Sequence, residues 1–520
     1  MLATLRAWCL LPFAAVLVNV ATAAPPTVTY LLPSGARHGT TLDVVAGGTF
    51  ERWPVTAWCD HPGVQVTAHK TKGKLTVAVA ADVPAGLYWL RLADEQGASP
   101  LRPFFVGSLP EVAEKEPNDD TRKPHVLEAS SVVNGRLDKK GDVDCFALAV
   151  KKGQTLVASL EANRTLGSPM DAVVQIATAD GAVVAENHDH RGLDPQAVYA
   201  APADGTYVVR VFAFPSMPDS TIAFSGGDNY VYRLTVSTAP FVEHAFPLAV
   251  EKANPGTVEL VGWNIAEADR RVPATDPRAA RSVRFEPHPT VAKAKAQGKE
   301  PQTIALPVTV SGVLDAPRSP DRYRFEAKKG QKLTFELESR SLDFDLSGVL
   351  KVTDAGGKVL QRVEGAGKKS LTDDPTLAFT PSAEGVYHVE VSDLLATSGP
   401  RHAYRLRCLT PRPDFAATLA ADRFAVAAGK TLDVPVTIDR RDGFMGDVTV
   451  TVENLPNGVT ANPAVAKGAE KTATLKLTAG AGAASGSVRV VAKAGELTRP
   501  ALASPAGQPA TEHVWVTVTK

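Results

Sequence analysis

The chain has 520 residues, is 44% hydrophobic, and carries 56 Lys+Arg against 56 Asp+Glu for a formal net charge of 0. A chain this long exceeds one hydrophobic core, so about three to five domains are expected. The balanced charge gives no whole-chain basis for binding nucleic acid or an anionic membrane, and 40 Gly with 39 Pro fit many short strands joined by turns.

In chain order, Arg6 precedes an almost wholly apolar run over 9–20, and Ala21-Thr22-Ala23 forms an A-x-A cleavage signal. This reads as a secretory signal peptide over 1–23, with an apolar run too short for a membrane span. No other segment has the length to cross a bilayer as a helix. Export is expected, to the periplasm, cell surface or medium.

Residues 26–107 read as a strand-containing unit. Leu32-Pro33-Ser34-Gly35 leads through Gly39-Thr40 into a strand over 41–46, and Pro84-Ala85-Gly86-Leu87-Tyr88 completes the unit. Phe246-Pro247-Leu248 and Gly256-Thr257 repeat that opening in a partial unit over 239–290.

Between these two units, Glu114-Lys115-Glu116-Pro117-Asn118-Asp119 is followed by Asp142-Val143-Asp144. Closely spaced carboxylate and amide oxygens are the ligands that a hard cation such as Ca²⁺ takes. The bland alternative is a polar turn using Pro and Asn/Asp in their usual roles.

The next segment repeats. Asp144-Cys145-Phe146-Ala147-Leu148-Ala149-Val150-Lys151-Lys152-Gly153-Gln154 returns as Asp321-Arg322-Tyr323-Arg324-Phe325-Glu326-Ala327-Lys328-Lys329-Gly330-Gln331. Pro202-Ala203-Asp204-Gly205-Thr206-Tyr207 returns as Pro381-Ser382-Ala383-Glu384-Gly385-Val386-Tyr387, and both copies close on Tyr-Arg-Leu, at Tyr232 and Tyr404. Period-two alternation makes each copy strand-rich. The predicted units are 110–238 and 301–409, separated by a basic, Ala-rich linker over 291–300. Residues 413–520 alternate as further strands, punctuated by Asn454-Leu455-Pro456-Asn457-Gly458, and read as a C-terminal Ig-like β-sandwich. The fold class is thus all-β: tandem jelly-roll-like and Ig-like sandwiches with no large helical domain.

The Glu-x-Glu-Pro-Asn segment, the Asp-x-Asp strand start and the Gly-x-Tyr exit resemble the bacterial pre-peptidase C-terminal domain, with 301–409 similar to a second, divergent copy. The flanking units at 26–107 and 239–290 resemble the TIG fold more weakly. The resemblance implies a compact jelly-roll-like sandwich of the kind appended to secreted proteases, including collagenases, and also found in exported proteins without a protease. It implies a structural calcium site, with candidate ligands Glu114, Glu116, Asn118, Asp119, Asp142 and Asp144. Asn134 stands where a Ser ligand occurs in the collagenase pattern. In the second copy Glu300-Pro301-Gln302 lacks the upstream Glu-x-Glu and Ser319 precedes Asp321, so that copy is expected to bind metal weakly or not at all.

Other constellations are less specific. Cys59, Cys145 and Cys408 form neither a disulfide framework nor a zinc spacing and read as buried, inert thiols. His188-Asp189-His190 near Asp194 reads as a loop rather than a ligand set. Asp171 and Asp343-Phe344-Asp345 are candidates for turn caps or an ion. No G-x-S-x-G occurs, and no Ser or Cys has an evident base and orienting group. The expected function is non-catalytic: binding an extracellular polymer or partner protein, with Ca²⁺ stabilising the first copy. The alternatives are an accessory or targeting subunit of a secreted peptidase and a purely structural envelope protein.

Overall fold

Alternation at period two sets the architecture. In Asp321–Ala327, Tyr323, Phe325 and Ala327 turn inward while Arg322 and Glu326 face solvent. In Asp144–Val150, Phe146, Leu148 and Val150 join the core. The computed structural model describes residues 24–217, 223–280, 282–293, 300–365, 374–505 and 510–520. The predicted signal peptide and most of the predicted linker lie outside them.

Among the described residues the chain is all-β, with helical structure limited to the single turn Asn163–Leu166 and two 3-10 turns. The N-terminal unit stacks a sheet ordered Thr27–Leu32, Thr41–Thr49, Lys74–Val79, Val64–Ala68 on one ordered Gly35–Arg37, Arg102–Gly107, Gly86–Ala93, Thr56–Cys59. Val44, Leu75, Val77, Leu90 and Phe104 fill the space between.

The first sandwich follows. One sheet runs His125–Val126, Asp144–Val150, Gly205–Pro215, Met170–Thr178, Val183–Asn187; the other runs Glu111–Ala113, Ser131–Arg136, Val231–Ser237, Thr155–Glu161, Gln196–Ala200. The second sandwich repeats this order strand for strand. Its first sheet is Gln302–Thr303, Asp321–Ala327, Gly385–Asp393, Gly348–Asp354, Val359–Glu364, and its second is Thr290–Ala292, Val308–Val313, Ala403–Leu409, Leu333–Glu338, Thr376–Phe379. The predicted linker at 291–300 therefore needs correction at its start. Thr290–Ala292 is an edge strand parallel to Val308–Val313, because its backbone supplies the partner that edge would otherwise lack.

The repeated motifs do the same work in both copies. The Lys151 and Lys328 N–H groups donate to Gln154 Oε1 and Gln331 Oε1 (2.8 and 3.0 Å), closing turns in which Gly153 and Gly330 take φ of 82° and 78°. The phenols of Tyr207 and Tyr387 donate to the carbonyls of Ala203 and Ala383 (3.4 and 2.7 Å). Asp194 accepts N–H bonds from Ala162, Asn163 and Arg164, as Asp374 does from Ser339, Arg340 and Ser341.

Between the sandwiches lies a short unit, a three-stranded sheet (Phe241–Phe246, Thr257–Trp263, Arg271–Pro273) beside the parallel pair Ala249–Glu251 and Arg284–Glu286. The C-terminal sandwich spans Asp414–Leu419 to Val514–Thr519 around Phe415, Val436, Val450, Leu475 and Val516. Cys145 and Cys408 are buried, whereas Cys59 is only half-buried; burial pushes its thiol up to about 12.

Each sandwich packs on the unit before it. Phe105, Leu166 and Val231 meet at the first junction, with Arg233 4.9 Å over the Phe105 ring. Leu248, Phe344 and Ala403 meet at the second, where Arg405 Nη1 donates to the Leu248 carbonyl (3.1 Å). Arg401 joins the two sandwiches. It reaches Glu243 Oε1 (2.6 Å), Asp345 Oδ2 (3.1 Å) and the His190 carbonyl (2.7 Å), and Arg164 pairs with Asp343. The C-terminal sandwich returns to the N-terminal unit. There Arg91, 1% exposed, donates to Asp422 Oδ2 (2.5 Å) and to the Asp422 carbonyl (3.0 Å), beside Trp58 and Trp515.

Two outcomes follow from these junctions. Asp422→Ala leaves a guanidinium buried without its carboxylate, a loss of roughly 3–5 kcal/mol. The C-terminal sandwich should undock, raising the radius of gyration in small-angle scattering, while Arg91→Met/Asp422→Leu stays closed. The second concerns acid. Burial opposes the charge on Glu243, but His190 and Arg401 outweigh it and hold its carboxyl down at about 2. His244, edge-on to Phe344 at 5.0 Å, is pushed down to about 4 by burial. Both groups are depressed, so their contributions are present above their ordinary values and are lost as the pH falls through the depressed ones. From about pH 6.5 to about pH 4 the wild type should lose melting temperature relative to His244→Phe, as His244 takes a proton; thermal melts of the two proteins across that range measure the difference.

Candidate metal centre

The centre lies where the first sandwich receives the chain from the N-terminal unit. Glu111–Ala113 runs parallel to Ser131–Arg136, and the Glu114 N–H donates to the Asn134 carbonyl (3.1 Å). That register turns the Glu114 side chain into the sandwich. Asp144 comes from the facing sheet and is fully buried. Tyr232 spans the two, its phenol 2.5 Å from Asp144 Oδ2 and 2.9 Å from Glu114 Oε2. Gly135 is required opposite it, since a Cβ there would lie 2.3 Å from the Tyr232 oxygen.

One phenolic proton cannot serve two carboxylates at once. Burial, and then the neighbouring Glu114 charge, push Asp144 up to about 9; burial pushes Glu114 up to about 7, against the donors Tyr232 and the Arg136 N–H. Without a cation, this pair holds a proton at neutral pH.

Beside it stands a second group. Glu116, Asp119 and Asp142 each offer an oxygen within 4.8 Å of the others. Two ligands on opposite sides of a calcium ion, each at about 2.4 Å, lie about 4.8 Å apart, so one ion could touch all three as they stand. Asp142 is 1% exposed; its Oδ2 accepts the Asp138 N–H (2.5 Å), and its Oδ1 has no hydrogen-bond partner among the described residues. Burial raises both Asp142 and Glu116, with neighbouring carboxylates adding to the rise. The buried Asn118 amide links the two groups. With its nitrogen toward them it donates to Glu116 Oε2 (3.1 Å) and Asp144 Oδ1 (3.2 Å). With its oxygen toward them, three oxygens converge as in a cation's coordination shell. Lys139 Nζ is 4.0 Å from Asp119 at the exposed rim.

The structure thus gathers Glu116, Asp119 and Asp142 directly, and Asn118, Asp144 and Glu114 around them. The Asn134 amide is engaged elsewhere. Its Oδ1 accepts the Ser34 N–H (3.2 Å) and its Nδ2 donates to Glu111 Oε2 (2.6 Å). The matching residue Ser311 accepts the Ala249 N–H on its Oγ (3.2 Å), so this position fastens each sandwich to the unit before it. Tyr232 was not among the site residues expected from sequence. Its signal was the repeated Tyr-Arg-Leu, but the reach of its hydroxyl across the sheets is a tertiary fact.

The histidine motif divides. His188 is exposed beside Glu186, whereas His190 binds Glu243 at the sandwich–sandwich junction. Asp343 caps the 3-10 turn Arg340–Leu342 in the left-handed region (φ 67°) while its carboxylate pairs with Arg164 across the same junction, and Asp345 pairs with Arg401 within the second sandwich.

A family model described as the bacterial pre-peptidase C-terminal domain matches residues 320–393. A probable subtilase-type serine protease of Deinococcus radiodurans is 30% identical over 146 residues, 27% of this chain and 18% of that protein. The chain therefore spans less than a fifth of that relative's length. Among solved structures, the pre-peptidase C-terminal domain of a Bacillus anthracis collagenase is 15% identical over 22% of this chain and 99% of that one, with a TM-score of 0.18. SGBP-B of a Bacteroides ovatus mixed-linkage glucan utilization locus is 11% identical over 74% of this chain and 75% of that one, with a TM-score of 0.16. The match to the bacterial pre-peptidase C-terminal domain family falls within the second sandwich.

Proposed function

We propose that this chain is an exported, non-catalytic multidomain protein that binds an extracellular polymer or partner protein, and that Ca²⁺ fixes its first sandwich to the unit before it. Two observations carry the metal reading: Asp142 offers a carboxylate oxygen within 4.8 Å of oxygens of Glu116 and Asp119, and its buried Oδ1 has no hydrogen-bond partner among the described residues. A buried unmatched charge is costly, and a divalent cation relieves both that cost and the repulsion among the carboxylates. Glu114 and Asp144 would complete the shell after giving up their proton, with Asn118 turned oxygen-inward. The strand order shared with the second sandwich, in which the family match lies, supports assigning the first to the same family. The flanking sandwiches are read as TIG- and Ig-like spacers that present the two.

A second reading, as accessory or targeting subunit of a secreted peptidase, is favoured by the likeness to a probable subtilase-type protease. The two part in one assay. An accessory subunit speeds a subtilase on polymeric protein without altering its rate on a short peptide, whereas an independent binder changes neither.

The metal reading predicts a stability shift. Calcium at about one hundred times its Kd stabilises the folded form by about 2.7 kcal/mol, which raises the first sandwich's melting transition by roughly 5–15 °C. Calorimetry of the full chain in calcium and in chelator measures it, and Asp142→Asn should abolish the difference. Tyr232→Phe removes the donor shared by Glu114 and Asp144 and should cost about 1–3 kcal/mol in chelator, read from urea unfolding. Identical melts in calcium and chelator would reduce the acidic segment to a polar turn.

A further inference from the structure

The second sandwich carries an aspartate–tyrosine pair like that of the first, with different company. Register makes the two sites equivalent. Gly135 pairs with Tyr232 and Gly312 with Tyr404, so Asn134 corresponds to Ser311. The parallel edge strands pair Ala113 with Asn134 and Ala292 with Ser311. The next residue is Glu114 in one copy and Lys293 in the other, and each donates its N–H to that same carbonyl (3.1 and 2.8 Å). Tyr404 donates to Asp321 Oδ2 (2.6 Å), as Tyr232 does to Asp144. At this one position a carboxylate is exchanged for an ammonium.

The Lys293 side chain is 10% exposed. Its Nζ lies 2.8 Å from Asp315 Oδ2, 2.8 Å from Asp321 Oδ1 and 2.7 Å from the Val313 carbonyl. An ammonium has three N–H donors, and three oxygens from separate residues receive them. The neighbouring phenols close the network, with Tyr323 and Tyr404 oxygens 2.6 Å apart and Tyr404 bonded onward to Asp321. Each acceptor therefore has its own proton, and no carboxyl need be protonated. Burial works against the charge on Lys293, but Asp315 and Asp321 outweigh it and hold the ammonium above the ordinary lysine range. Burial holds the Asp321 carboxyl above its ordinary range, against the Lys293 and Tyr404 bonds that lower it; the 2.8 Å contact identifies Lys293 and Asp321 as a charged pair.

We propose that Lys293 Nζ is the resident cation of the second sandwich, standing where the first sandwich takes a metal ion, so that calcium governs the first and not the second. The comparison with the first sandwich rests on the calcium reading given above; the ionic role of Lys293 does not.

The test uses the full chain with Lys293→Met, Lys293→Arg and Lys293→Glu, measuring calorimetric transitions and bound calcium per chain in calcium and in chelator. Lys293→Met keeps most of the apolar stem and removes the charge. It should lower the second sandwich's transition by several degrees, equally in calcium and chelator, with Lys293→Arg falling less. Lys293→Glu sets a third carboxylate against Asp315 and Asp321; it should fall further than Lys293→Met, in calcium and in chelator alike, because Ser319 leaves this copy without a counterpart of Asp142. An unchanged melt for Lys293→Met overturns the ionic role. Failure of both Lys293→Met and Lys293→Arg to fold also overturns it, because shape rather than charge would then be what the site needs. Lys293→Glu no less stable than Lys293→Met overturns the claim that charged Asp315 and Asp321 face this position. If the wild type binds no calcium, the reading of the first site fails, while Lys293→Met against Lys293→Arg still decides the role of Lys293.

Discussion

A carboxylate sealed between two β-sheets must be met by a proton or a positive charge, because its desolvation costs several kcal/mol otherwise. Both sandwiches are arranged around this demand. Asp144 and Asp321 open equivalent strands, face the interior, and are reached by a tyrosine phenol from the opposite sheet. That phenol crosses a glycine in each copy, so the backbone at 135 and 312 admits no side chain. The copies part at the residue following the edge strand, where Glu114 adds to the negative charge and Lys293 cancels it. That exchange, with Ser319 standing where the first copy has Asp142, separates a site that needs something from outside from one that is complete.

The junctions extend the same economy. A polar side chain on the strand beside the buried tyrosine, Asn134 or Ser311, accepts a backbone N–H from the preceding unit. An arginine on the next strand, Arg233 or Arg405, covers the contact. The repeating object is therefore larger than a sandwich: a sandwich with the unit before it and the seam between them. The short unit keeps the strands of that seam although it has fewer strands than its N-terminal counterpart.

Much of this organisation is legible in residues 144–154 and 321–331, whose alternation and Lys-Lys-Gly-Gln turns mark strand and turn together. The acidic cluster was legible for the same reason, since Glu116, Asn118 and Asp119 are adjacent in sequence. What could not be read were pairings across long separations. Asn134 is an amide among carboxylates until its partner, one hundred residues away in Ser34, is known. Lys293 sat in a stretch whose basic, Ala-rich composition suggested a linker; composition does not reveal that an edge strand ends one residue earlier. His190, Asp343 and Asp345 similarly carry local signals of turns and ligands, and only tertiary packing assigns them to Arg401 and Arg164.

The return of the C-terminal sandwich to the N-terminal unit has a mechanical consequence. Arg91 and Asp422 are 331 residues apart in sequence, yet they touch. Tension that pulls the C-terminal sandwich as a body away from the N-terminal unit falls on this seam. A buried ion pair separates over a short distance, whereas a sheet must shear many bonds together. The first response to load is thus a parting of whole units at the seam, with every β-sheet intact and free to close again.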